Sequence, residues 1–137
     1  MRDANVLVVE DDETIRRLLV EYLKQHSYLN VEGARDGVEA LHQLATGRYG
    51  VVVLDVMMPK MSGVDLLDSL EVMVDDPTVG KLQSTPSIVI ITAAPQSAVP
   101  DSLFERRFGN LVRAVLRKPL DITRLVEIVE GEIRARP

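Results

Sequence analysis

The chain has 137 residues, 46% hydrophobic and 27% charged, with a formal net charge of −5 and no cysteine. That is the size and balance of one domain with a buried core; it excludes disulfides, thiolate metal sites and the basic field that nucleic-acid phosphates require. No apolar run approaches the ~18 residues of a membrane span, and the opening MRDANVLVVE meets acidic residues before any signal-peptide core can form.

In chain order, Val6-Leu7-Val8-Val9 is an uninterrupted apolar run, the pattern of a strand covered on both faces, and it ends in Glu10-Asp11-Asp12. From Ile15 the period becomes helical. Ile15, Leu18, Leu19, Tyr22 and Leu23 are expected inward, with Arg16, Arg17, Glu21 and Lys24 outward. Asp12 or Glu13 can cap this helix, where negative charge also suits the dipole. Leu29, Val31 and Gly33 mark a weaker second strand; Asp36-Gly37 then opens a second helix with Val38, Leu41, Leu44 and Ala45 inward. A third apolar run, residues 51–54, leads directly into Asp55, and Pro59 cannot continue a ladder.

Ser62 and Gly63 start a third helix with Leu66, Leu67, Leu70, Met73 and Val74 on one face, and the polar segment 75–86 reads as a loop. A fourth strand, residues 88–91, ends at Thr92. Pro100 and Gly109 bracket a short fourth helix carrying Leu103, Phe104 and Phe108. The fifth strand, residues 111–116, is interrupted by Arg113 and ends at Lys118-Pro119. Asp121 caps a last helix with Ile122, Leu125, Val126, Val129 and Ile133 inward. His26 and His42 read as lone surface histidines.

Strand and helix thus alternate five times, which predicts an α/β domain over residues 1–137: a doubly wound parallel sheet with helices on both faces and right-handed crossovers. Ligand crevices in such sheets lie outside the carboxyl ends of the strands, where the strand order reverses. With the order 2-1-3-4-5, Glu10, Asp11 and Asp55 converge there, and Thr92 and Lys118 stand on the neighbouring strand ends.

Clustered carboxylates repel one another unless one holds a proton or a cation offsets them. An oxygen-only set with room for water and phosphate suits Mg²⁺, with Mn²⁺ as a substitute. A hydroxyl at Thr92 and an ammonium at Lys118 can bind phosphoryl oxygens while Asp55 attacks in line. The plainer alternative is a structural ion pair between Lys118 and Asp55 with no chemistry.

The stretches VLVVEDDETIRRLL, VVVLDVMMPKMSGVDLL, IVIITA and RKPL together resemble the receiver domain of bacterial two-component response regulators, over essentially the whole chain. The resemblance implies a flavodoxin-like fold and a cytoplasmic signalling domain, with Asp55 accepting a phosphoryl group from a sensor histidine kinase or phosphotransfer protein. It further implies Mg²⁺ held by Glu10, Asp11, Asp55 and the backbone carbonyl of Met57. Thr92 and Lys118 would contact the phosphoryl group, and the Lys118-Pro119 bond would be cis. The output would be a surface formed by the loop after Thr92 and the fourth helix, which binds a downstream target or output domain. No direct nucleic-acid contact, no membrane insertion and no output domain within residues 1–137 are expected, which fits either a stand-alone receiver or a receiver cut from a longer chain.

Three departures stand out. The Asp55-to-Thr92 and Thr92-to-Lys118 intervals both exceed those usual in the family, and Val115 occupies the place of its switching aromatic ring. Met57 and Ala94, two residues beyond Asp55 and Thr92, offer no group to position a hydrolytic water, so a long-lived aspartyl phosphate is expected. Two competing readings remain at this level. One is a phosphorylation-independent interaction module of the same fold. The other is an aspartyl-phosphate phosphatase, which would want a second acid where Met57 stands.

Overall fold

The computed structural model describes residues 5–27, 29–57, 62–75, 82 and 85–135; Pro59 and most of the expected loop 75–86 lie outside them. Five strands, β1 (Asn5–Val9), β2 (Asn30–Ala34), β3 (Val51–Asp55), β4 (Ser87–Thr92) and β5 (Val112–Arg117), alternate with five helices. The helices are α1 (Glu13–Ser27), α2 (Gly37–Thr46), α3 (Gly63–Asp75), α4 (Asp101–Phe108) and α5 (Ile122–Arg134). All strand pairings are parallel, in the order β2-β1-β3-β4-β5, as the alternating pattern predicts.

The uninterrupted apolar strands are explained by burial on both sides. Val6, Val8, Val51, Val53, Val89 and Ile91 face Leu19 and Leu23 of α1 and Leu125 and Val129 of α5. The alternate residues Leu7, Val9, Val52, Leu54, Ile88 and Ile90 face α2, α3 and α4, where Phe104 and Phe108 join the core. Asp36 caps α2 by accepting from Glu39 N–H at 2.8 Å, and Asp121 caps α5 by accepting from Arg124 N–H at 3.2 Å. Asp12, one of the two candidate caps of α1, accepts from Ile15 N–H at 2.9 Å.

Several helix positions turn the other way from their expected faces. Leu18 is 65% and Val38 57% exposed. Leu18 stands on the flank of α1, in a groove formed with the β5–α5 connection. The inward stripe of α2 runs through Gly37, Ala40 and Leu44, which leaves Val38 on its outer flank. Val74 is also exposed. Arg16, expected outward, lies half-buried over Gly33 and donates to the Glu10 carbonyl at 2.9 Å. The interruption of β5 by Arg113 is a register shift: Ile88 pairs with Val112 and Val89 with Ala114, so Arg113 is the extra residue of a bulge. Val112 and Val115 consequently share the α2–α4 face, while Ala114 and Leu116 pack on the other.

Gly63 brings α3 against the end of β3. Its N–H donates to the Val56 carbonyl at 3.3 Å, and a Cβ there would lie 2.4 Å from the Val56 Cα. Backbone cannot yield to that degree without shifting the strand end. Gly63→Ala is therefore expected to lower stability by about 2 kcal/mol or more in urea unfolding. Gly131, inside α5 with nothing within 4 Å of a built Cβ, gives the opposite sign: Gly131→Ala should gain about 0.5–1 kcal/mol from helix propensity.

Candidate functional site

The carboxyl ends of β1, β3, β4 and β5 meet at one rim because the strands are parallel and adjacent. Val9 is aligned with Leu54, Asp55 with Ile91, and Thr92 with Arg117. Glu10 follows β1, Asp55 ends β3, Thr92 ends β4, and Lys118 follows β5. The Lys118 backbone N–H donates to the Thr92 carbonyl at 2.8 Å, which fixes where its side chain starts. The Lys118-Pro119 bond that follows is cis.

From that anchor the Lys118 ammonium reaches across the rim to two carboxylates, Glu10 Oε1 at 2.9 Å and Asp55 Oδ2 at 3.1 Å. Both acids are buried, at 1% and 3% exposure. The second oxygen of each is held by backbone. Asp12 N–H donates to Glu10 Oε2 at 3.3 Å, and Met57 N–H donates to Asp55 Oδ1 at 2.9 Å. Thr92 is fully buried, and its hydroxyl oxygen accepts from Ala94 N–H at 3.0 Å. Asp11 is exposed at the mouth, with a carboxylate oxygen in a group with those of Glu10 and Asp55 whose members all lie within 4.8 Å of one another.

The electrostatics follow from burial. Desolvation pushes the Glu10 carboxyl up from 4.5 to about 7. The hydrogen bond and charge of Asp55 add to the rise, while Lys118 and the Asp12 amide oppose it. Burial alone would lower the Lys118 pKa, but its hydrogen bonds to Glu10 and Asp55 carry it above the ordinary value. Three carboxylates against one ammonium leave two negative charges uncompensated when all are ionised. An all-oxygen donor set with that residual charge fits a hard divalent cation such as Mg²⁺.

All the candidate side chains except one therefore share the rim. The exception is Met57, whose side chain is 60% exposed and whose backbone N–H donates to Asp55 Oδ1. Two residues in the surroundings escaped the sequence reading. Arg16 holds the Glu10 carbonyl, and Arg117 grips the loop after Thr92, donating to the Ala94 carbonyl at 3.0 Å. Periodicity assigns Arg16 to solvent, and Arg117 falls just past the expected strand 111–116, where no pattern gives it a face; in the structure it ends β5, paired with Thr92.

Residues 6–130 match the family model described as the response regulator receiver domain. A protein-glutamate methylesterase/protein-glutamine glutaminase of Myxococcus xanthus is 36% identical over 84% of this chain and 30% of its own length. The response regulator MprA of Mycobacterium avium is 33% identical over 96% of this chain and 60% of its own length. This chain thus spans less than two thirds of either relative. The response regulator TrrA of Thermotoga maritima, solved in complex with Mg²⁺ and BeF, superposes with a TM-score of 0.70 at 26% identity, covering 96% of this chain and 99% of that one. Among the described residues no helix is long and apolar enough to cross a membrane. The match over nearly the full length, on a sheet of this order with these carboxylates at its rim, makes the chain a member of the response regulator receiver family.

Proposed function

We propose that Asp55 is the phosphoacceptor of a two-component relay in the cytoplasm, with Mg²⁺, or Mn²⁺ in its place, held by Glu10, Asp11, Asp55 and the Met57 carbonyl. The carrying observation is the single ammonium of Lys118 shared between two buried carboxylates, beside a third that is open to solvent. A bound divalent ion would supply charge neutralisation on the phosphoryl oxygens. A carboxylate oxygen of Asp55 attacks phosphorus; the P–N bond to the donor imidazole breaks, and its electron pair stays on the imidazole nitrogen, which takes up a proton. The product is an acyl phosphate on Asp55. Lys118, already at the Asp55 carboxylate, stays within reach of the new phosphoryl oxygens, and Thr92 turns its hydroxyl toward them. The chain is thereby modified instead of releasing a product, which is regulatory chemistry. The loop after Thr92 and α4 then change their engagement with a downstream target or output domain.

Incubation with Mg²⁺ and acetyl phosphate, followed by intact mass, is expected to add one phosphoryl group, to be lost in Asp55→Asn and in EDTA. The label should decay slowly, because Met57 faces solvent and neither it nor Ala94 can hold an attacking water. Steady phosphate release without a labelled chain would favour a phosphatase, and an inert protein would favour a phosphorylation-independent module.

The raised pKa of Glu10 sets a pH signature. Between about 4.5 and 7 the folded chain binds more protons than the unfolded one, so without metal its stability falls as pH rises through that window. Because a metal ion competes with that proton, Mg²⁺ should raise the melting temperature more at pH 7.5 than at pH 5. In Glu10→Gln both the metal-free slope and this difference should shrink.

A protein donor must bring its phosphohistidine to the rim and so covers what adjoins it. There an apolar groove of about 250 Å³ is lined by Ile15, Leu18, Leu19, Pro119, Leu120 and Ile122, with Lys118 at its border. Leu18→Asp is expected to slow transfer from a histidine kinase that labels the wild-type chain by about tenfold or more, with labelling by acetyl phosphate unchanged. Equal losses with both donors would remove the groove from the docking surface.

A further inference from the structure

The segment between β4 and α4 is tied to the sheet by one side chain. Arg117, the last residue of β5, donates from Nη1 to the Ala94 carbonyl at 3.0 Å and from Nη2 to Gln96 Oε1 at 3.1 Å and Asp101 Oδ1 at 2.5 Å. Ala94 is therefore gripped from two sides: its N–H by the Thr92 hydroxyl and its carbonyl by Arg117. Beyond it, Ala98 and Val99 N–H both donate to the Pro95 carbonyl at 3.0 Å, so the connection is a compact turn.

At the start of α4, Pro100 supplies no side-chain cap, and Asp101 N–H is met instead by Gln96 Oε1 at 2.5 Å. Arg117 thus touches Ala94 (two residues past Thr92), the side chain that caps α4, and the first residue of α4. An eight-residue helix has little stability of its own. Phe104 and Phe108 hold it to the core, and this network holds its N-terminal end. Val115, on the same sheet face as Arg117, is aliphatic and can make no polar link.

We infer that Arg117 is a positioning residue that couples Thr92 to α4, so that phosphorylation of Asp55 is read out through its guanidinium. The inference rests on the phosphoacceptor reading of Asp55. When the Thr92 hydroxyl turns to a phosphoryl oxygen, its hold on the Ala94 amide is lost and Ala94 shifts. A guanidinium presents its donors in a fixed plane, so it cannot follow the Ala94 carbonyl and keep its bonds to Asp101 and Gln96. The first turn of α4 is released. Lysine at this position would keep the charge but not the fork.

Hydrogen exchange over residues 95–108, paired with intact mass, tests this. In the wild type, labelling with acetyl phosphate and Mg²⁺ is expected to speed exchange in the first turn of α4 by about tenfold. In Arg117→Met, Arg117→Lys and Asp101→Asn, the unlabelled protein should already exchange at that raised rate, and labelling, with Asp55 still modified, should change it less than about twofold. Asp101→Asn leaves β5 untouched, so a shared phenotype is not a folding defect of the strand. If all three variants take the label and retain the full wild-type difference, Arg117 is not the coupling residue. If the wild type takes no label, the phosphoacceptor reading itself fails and the coupling falls with it; mass separates the two outcomes.

Discussion

One ammonium between two buried carboxylates is the constraint on which the rest depends. Lys118 meets Glu10 and Asp55 from strand ends far apart in sequence, and removing it would leave two buried acids without their cation. Isolated buried charge is costly, and a pair is tolerated only when geometry and further hydrogen bonds complete it. Here the completion comes from backbone, the Asp12 and Met57 amides each taking one remaining oxygen. Even so, the balance is short of positive charge; burial, with the neighbouring Asp55 charge adding to it, raises the Glu10 pKa to about 7. A site left near its protonation point at neutral pH is one that a cation or a phosphoryl group can rearrange.

The sheet is what makes the constraint enforceable. Parallel strands in the order β2-β1-β3-β4-β5 put β1 beside β3 and β4 beside β5, so four rim residues are set by ladder hydrogen bonds and not by flexible loops. The Lys118 amide is itself part of that lattice through the Thr92 carbonyl. Gly63 serves the same end from the other side, since only a residue without a side chain lets α3 approach Val56 so closely. The geometry of the rim in this chain is a by-product of sheet registration.

Most of this was legible in the sequence because buried parallel strands advertise themselves. Runs such as Val51-Val52-Val53-Leu54 have no polar break, and the first polar residue after the runs 6–9, 51–54 and 88–91 (Glu10, Asp55 and Thr92) falls at the rim. The failures have a common cause. Helical periodicity assigns a side chain to a face but not to its surroundings. Leu18 lies on the predicted stripe, yet points into an open groove. Arg16 lies off the stripe and yet reaches the Glu10 carbonyl, because a long side chain can bend back over Gly33. The Arg113 bulge was legible only as an interruption, although it decides which face Val115 and Arg117 share. Without it, strand alternation would place β5's last side chains on the opposite sides.

That bulge gives the end of β5 a further consequence. Successive residues of an extended chain project to opposite sides, so Arg117 and Lys118 diverge from one peptide unit. One goes to the loop ahead of α4, and the other to the carboxylates. The two cations are joined by a single backbone link whose position is pinned by Thr92, through the strand pairing of Arg117 and the Lys118 N–H bond to the Thr92 carbonyl. Under the proposed phosphorylation, a change in charge at Asp55 would act on Lys118, which already touches it, and on Thr92, and both connect directly to Arg117, which holds the start of α4. In the proposed relay, chemistry and response therefore need no long chain of intermediates. They are separated by one residue of one strand, and the alternation of that strand gives each its own side.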